Sequence, residues 1–128
     1  MTAYPVLRYN DARAAIGWLG QAFGFTEKEV HAGDDGRIVH AELYAPGGGI
    51  VMLSDEPEGG DPRWGNQPYA GRGWLYVAVE DPDALYDTAV AAGAEIVMEL
   101  TDQDYGSRDF GVRDLEGNLW SFGTYAPS

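Results

Sequence analysis

The chain carries its own repeat. Tyr4 corresponds to Trp74, Asp11 to Asp81, Gly24 to Gly93 and Ile50 to Leu119, each pair about 70 positions apart. Four correspondences in one register mark a duplicated supersecondary unit, and a period of this length constrains the architecture before any single residue does. In 128 residues it leaves room for two half-size modules sharing a core.

Each copy reads strand, helix, strand, strand, strand. In the first, Tyr4–Tyr9 is a short β-prone run and Asp11 is placed as a helix N-cap. Ala12, Ala15, Ile16, Leu19 and Phe23 then recur at helical spacing until Gly24 ends the run. Glu27–Ala32 and Arg37–Tyr44 read as strands joined by a Gly33-Asp-Asp-Gly36 hairpin turn, and Pro46-Gly-Gly-Gly49 leads into Ile50–Ser54. In the second copy Trp74–Val79 is a strand, and Asp81-Pro82 opens a helix carrying Leu85, Ala89 and Ala92 as far as Gly93. Ile96–Leu100, Asp109–Arg113 and Asn118–Gly123 supply its remaining strands. The expected organisation is a single domain over 1–128: module one at about 1–55, a Gly-, Pro- and acid-rich connector at about 56–72, and module two at about 73–126. The fold class is α+β, with two β-α-β-β-β modules in tandem forming a curved mixed sheet around a cleft.

Charge narrows the partners. With 21 acidic and 8 basic side chains the net charge is −13, which repels phosphate backbones and anionic headgroups. Nucleic acid and membrane surfaces are therefore not expected partners, whereas a neutral or cationic small molecule is. The absence of cysteine removes disulfides, thiolate nucleophiles and metal–sulfur sites. No apolar run is long enough for a bilayer, and Met1-Thr-Ala-Tyr-Pro5 has no basic segment leading into an apolar one. A cytoplasmic location is the expectation.

Strand parity sorts side chains between a helix side and an open side. Val51 and Leu53, then Leu75, Val77 and Val79, then Trp120 and Phe122 suit the helix side. Val39, Ala41 and Leu43 join them by the same count, leaving His40, Glu42 and Tyr44 on the open side with Tyr4, Val6, Arg8, Met52, Trp74, Tyr76, Leu119 and Ser121. Aromatic and aliphatic groups with a few polar handles are the composition of a small-molecule cleft. Aromatics on a sheet face are more often core or a subunit contact than a ligand platform, and His40 with Glu42 also reads as a plain cross-strand pair.

The duplicated unit resembles the vicinal-oxygen-chelate superfamily of glyoxalase I, bleomycin-resistance proteins, fosfomycin-resistance enzymes and extradiol dioxygenases. Ile38-Val-His-Ala-Glu-Leu43, Met52-Leu-Ser-Asp-Glu56, and above all Tyr105-Gly-Ser-Arg108 followed by Arg113-Asp-Leu-Glu-Gly-Asn-Leu-Trp120 resemble its glyoxalase-like, PhnB-like branch. The resemblance implies metal ligands on the first, fourth, fifth and eighth strands. Carried over, those positions hold Tyr4, Met52, Trp74 and Ser121, none of them a usual ligand for a hard or borderline divalent cation. No metal and no other cofactor is expected.

What remains resembles the metal-free bleomycin-resistance type, which implies a homodimer sequestering an aromatic or cationic compound such as an antibiotic. The expected ligand-binding set is Tyr4, Arg8, Tyr44, Met52, Trp74, Tyr76, Tyr105, Arg108 and Ser121, with Trp64 and Tyr69 of the connector as lid residues. The alternative is a glyoxalase-like lyase, isomerase or dioxygenase in which His40 acts as general base and Glu42 orients it. A third reading is a self-associating protein whose cleft is filled by its own side chains.

Overall fold

Each module begins its helix on an aspartate. Asp11 accepts from the Ala14 amide and Asp81 from the Ala84 amide, both at 3.1 Å, satisfying a donor that the first helical turn leaves open. The computed structural model describes residues 1–127. Module one comprises β1 (Val6–Tyr9), α1 (Ala12–Phe23), β2 (Thr26–Ala32), β3 (Ile38–Tyr44) and β4 (Ile50–Asp55). Module two comprises β5 (Trp74–Ala78), α2 (Pro82–Ala91), β6 (Glu95–Asp102), β7 (Arg108–Arg113) and β8 (Leu119–Gly123). The connector contains a single 3-10 turn at Pro62–Trp64.

The two modules repeat one topology, β1-β4-β3-β2 in one four-stranded sheet and β5-β8-β7-β6 in the other. In both, the first strand pairs parallel with the last and the rest pair antiparallel. Even the register repeats, since Val6 faces Met52 where Tyr76 faces Ser121. The helices lie on the inner side of both sheets and touch each other. Phe23 of α1 packs on Trp120 and Phe122 of β8, with ring centroids 5.5 and 4.7 Å away. Leu7, Tyr9, Leu43, Val51 and Leu53 of one sheet and Phe110, Val112, Trp120 and Phe122 of the other thus join a single core.

One parity assignment is corrected. Val39, expected on the helix side, is 61% exposed, and Ile38 is buried in its place. Ala32 pairs with Ile38 but His31 with His40, so Val39 is an extra residue in β3. Such a bulge shifts the alternation by one, and the inward positions become Ile38, Ala41 and Leu43. The Ile38 amide, turned off the ladder, donates to Asp55 at 2.7 Å.

Candidate functional site

The open face of the second sheet is aromatic and built on small residues. Trp74 is 75% exposed, and its indole Nε1 donates to Ser121 Oγ at 3.1 Å, which holds the ring over the sheet. Tyr76 donates to the Tyr125 carbonyl at 2.6 Å, and Tyr105, in the turn after β6, donates to Asp109 Oδ2 at 2.7 Å. Trp74, Tyr76, Tyr105 and Asp109, with Met98, Gln103 and Ser121, surround a cavity of about 420 Å³. Gly123 makes the floor possible, since a Cβ there would overlap the Asp109 carboxylate and the Tyr76 hydroxyl. Burial pushes the Tyr76 phenol up, and the bond to Asp109 does the same for Tyr105. Both rings keep their protons, and so remain donors, throughout the neutral range.

The open face of the first sheet is more polar. Tyr4, Lys28, Glu42, Ile50 and Met52 line a cavity of about 320 Å³. His40 Nε2 lies 2.7 Å from Glu42 Oε2, and Lys28 Nζ lies 3.1 Å from Glu42 Oε1. These two contacts, His40 first, hold the Glu42 carboxyl below the usual carboxylate range. His31 stands opposite His40 with the rings near-parallel and their centroids 6.2 Å apart.

The residues expected to share one site fall into separate places. Tyr4 and Tyr76 meet at the seam between the two sheets, where Ile50, Leu75 and Ala78 complete a cavity of about 380 Å³. Met52 and Tyr4 stay with the first sheet, and Trp74, Tyr76, Tyr105 and Ser121 share the second. Tyr44 lies on the open side of β3, exposed and opposite Ile50. Arg8 is taken up elsewhere. It donates to Asp61 at 3.2 Å and pins the connector, and Arg63, then Arg8, keep the Asp61 carboxyl far below its ordinary range. Trp64 and Tyr69 belong to that pinned segment, where the Tyr69 hydroxyl donates to the Trp64 carbonyl at 2.6 Å and Glu56 accepts from the amides of Tyr69 and Ala70. Arg108 shares the parity of Phe110 and Val112, and it bonds Asp83 on α2 at 2.7 Å and Asp102 at 3.1 Å, on the helix side. Met98, Gln103 and Asp109 were not anticipated. The signal for Asp109 was that it alternates with Gly111 on a strand whose other parity carries Phe110 and Val112.

A family model for the glyoxalase, bleomycin resistance protein and dioxygenase superfamily matches residues 2–122. The chain belongs to that superfamily. The match is to the superfamily as a whole, not to its PhnB-like branch. TioX from Micromonospora sp. ML1 is 36% identical, with a TM-score of 0.77 over 98% of this chain and 100% of that one. A glyoxalase/bleomycin resistance protein from Catenulispora acidiphila shares the fold at 20% identity and a TM-score of 0.68, over 96% of each chain. An uncharacterized protein of Mycobacterium bovis is 33% identical over 121 residues, which is 93% of this chain and 80% of the relative.

Superfamily resemblance places divalent-metal ligands at Tyr4, Met52, Trp74 and Ser121, and the residues there do not fit a metal. A thioether is a soft ligand, and the indole nitrogen of Trp74 is a donor already committed to Ser121. Among the described residues no three His, Cys, Asp or Glu side chains are grouped to hold a metal ion. No helix among them is long and apolar enough to cross a membrane.

Proposed function

We propose that this superfamily member binds a small planar aromatic or cationic molecule without a metal, on the aromatic face of the second sheet. The observation that carries the reading is Trp74, a large ring standing almost fully in solvent yet held in one orientation by Ser121. A ring so placed wants a partner, because exposed aromatic area beside Tyr76 and Tyr105 is removed from water only when something lies on it. The negative charge of the chain favours cations over anions at the encounter. A second copy of the chain completes the cleft in this reading, because Tyr4, Val6 and Val39, exposed on the first sheet, offer apolar surface for a two-fold partner to cover.

The test is a titration of tryptophan emission against planar aromatic compounds of positive, zero and negative charge. Binding should quench emission, cations should bind best, and Trp74→Ala should release the ligand faster by a factor corresponding to about 1–3 kcal/mol. A preference for anions, or an unchanged dissociation rate in Trp74→Ala, would defeat the reading.

The His40–Glu42 contact of 2.7 Å supports a second reading, general-base catalysis at the first sheet. His40→Ala separates the two, because an enzyme using this base loses about 10²–10⁴-fold in turnover while ligand binding at Trp74 is untouched.

A further inference from the structure

We propose that Asp109 is the anchor for a protonated nitrogen, so that the molecule taken by the second sheet is a planar aromatic cation lying on Trp74 with its ammonium or amidinium group turned to the Asp109 carboxylate. This rests on the binding function proposed above and names the ligand class and the residue that selects it.

Three carboxylates are buried among the described residues: Asp61, Asp109 and Asp114. Their surroundings differ. Asp61 accepts four hydrogen bonds, from the guanidinium of Arg8 and from the guanidinium and amide of Arg63. Asp114 accepts five, from the Tyr9 hydroxyl, the Glu116 and Asn118 amides, the Asn118 side chain and the Trp120 indole. Asp109 accepts only two, both from neutral hydroxyls, those of Ser107 and Tyr105. The ion pairs among the described residues do not include it.

A carboxylate offers roughly four acceptor positions, so Asp109 has about two to spare. It is 5% exposed, and what lies in front of it is the cavity under Trp74, not core. A buried charge without a counter-ion is costly, and the two hydroxyls offset only part of that cost. A ligand ammonium supplies both the opposite charge and up to three donors, and its neighbourhood of aromatic faces favours a cation further. A neutral ligand leaves the carboxylate as it was, and an anion adds like charge. Access comes from Tyr105, which is 64% exposed on its turn, so that its hydroxyl has room to move aside, while Gly123 has no Cβ to displace the Asp109 carboxylate from its place.

Equilibrium dialysis of the full chain at pH 8 against 9-aminoacridine, acridine and acridine-9-carboxylate supplies one ring system as cation, neutral molecule and anion. Wild type should prefer the cation to the neutral ring by about tenfold or more, the scale of one charge-assisted hydrogen bond. Asp109→Asn should bind acridine as wild type does and close the gap to within about twofold. Asp104→Asn removes the same charge from an exposed site and should leave the gap open, which separates a local anchor from overall charge. If circular dichroism shows Asp109→Asn unfolded, Tyr105→Phe decides: with one hydroxyl gone, cation preference should widen about threefold or more. A preference that survives Asp109→Asn, vanishes in Asp104→Asn, or fails to widen in Tyr105→Phe overturns the proposal. If wild type binds cation and neutral ring equally and Trp74→Ala weakens both, the aromatic face is a binding site and only the Asp109 proposal falls. If none of the three binds wild type, both fall together.

Discussion

The Tyr9 hydroxyl donates to Asp114 Oδ2 at 2.6 Å, joining the first strand of one module to the last turn of the other across 105 positions of sequence. Both residues are buried. Tyr9→Phe should therefore lower stability by about 1–3 kcal/mol in denaturant unfolding, the cost of removing one partner from a buried charged acceptor. Burial first, then Asp114, pushes the Tyr9 phenol far above its ordinary value of 10.0. The folded chain thus keeps a proton that the unfolded chain gives up near pH 10, so the contribution is complete below about pH 10 and declines as pH rises further. Tyr9→Phe should flatten that alkaline decline.

The acid side should respond to Glu42. Its carboxyl is lowered by His40 and then Lys28, so its share of stability is present above its ordinary value of 4.5 and is lost as pH falls below it. Glu42→Gln should make unfolding midpoints less sensitive to acid. An identical acid limb in wild type and variant would show that the His40–Glu42 contact does not persist in solution.

Elemental analysis should find no stoichiometric transition metal after purification, because Tyr4, Met52, Trp74 and Ser121 stand where the superfamily's metal users place imidazole or carboxylate. About one metal per chain, lost when any of the four is changed, would refute this.

Light scattering at micromolar concentration should give twice the chain mass. Val6, Val39, Trp74 and Tyr76 expose apolar surface on the open faces, an arrangement that a lone chain leaves in water. A monomer mass would remove the shared cleft from the proposed function.

Salt should separate encounter from residence. If charge steers a cation to the site, the association rate falls as ionic strength rises toward about 0.15 M, where screening limits its reach to about 8 Å. Stacking on Trp74 depends on contact and ring geometry, so the dissociation rate should change little.

Much of this was legible because it is local. The Asp11 and Asp81 caps and the chain order of strand, helix and three strands in each module follow from spacing and turn residues that a strand or helix reads from its near neighbours. Parity likewise placed Trp74, Tyr76, Met52 and Ser121 on open faces, because side chains alternate wherever the ladder is regular. It failed at Val39, where a bulge adds a residue that no periodic pattern announces.

Arg8 and Arg108 show the other limit. Each was expected at the ligand, and each is instead engaged by carboxylates, Asp61 on the connector and Asp83 on α2, that are distant in sequence. Which acid an arginine meets is decided by packing, since ion pairs form between whatever groups the folded chain brings within reach. By itself the sequence determined the tandem α+β modules, the aromatic open face and the lack of metal-ligating residues at the superfamily positions. Only the tertiary structure decided that Arg108 is held by Asp83 on the helix side and that Asp109 shares a pocket with Trp74, with two donors where Asp114 has five. Both depend on helix-to-sheet packing and on a glycine floor, contacts between segments whose separation in sequence carries no record of their distance in space.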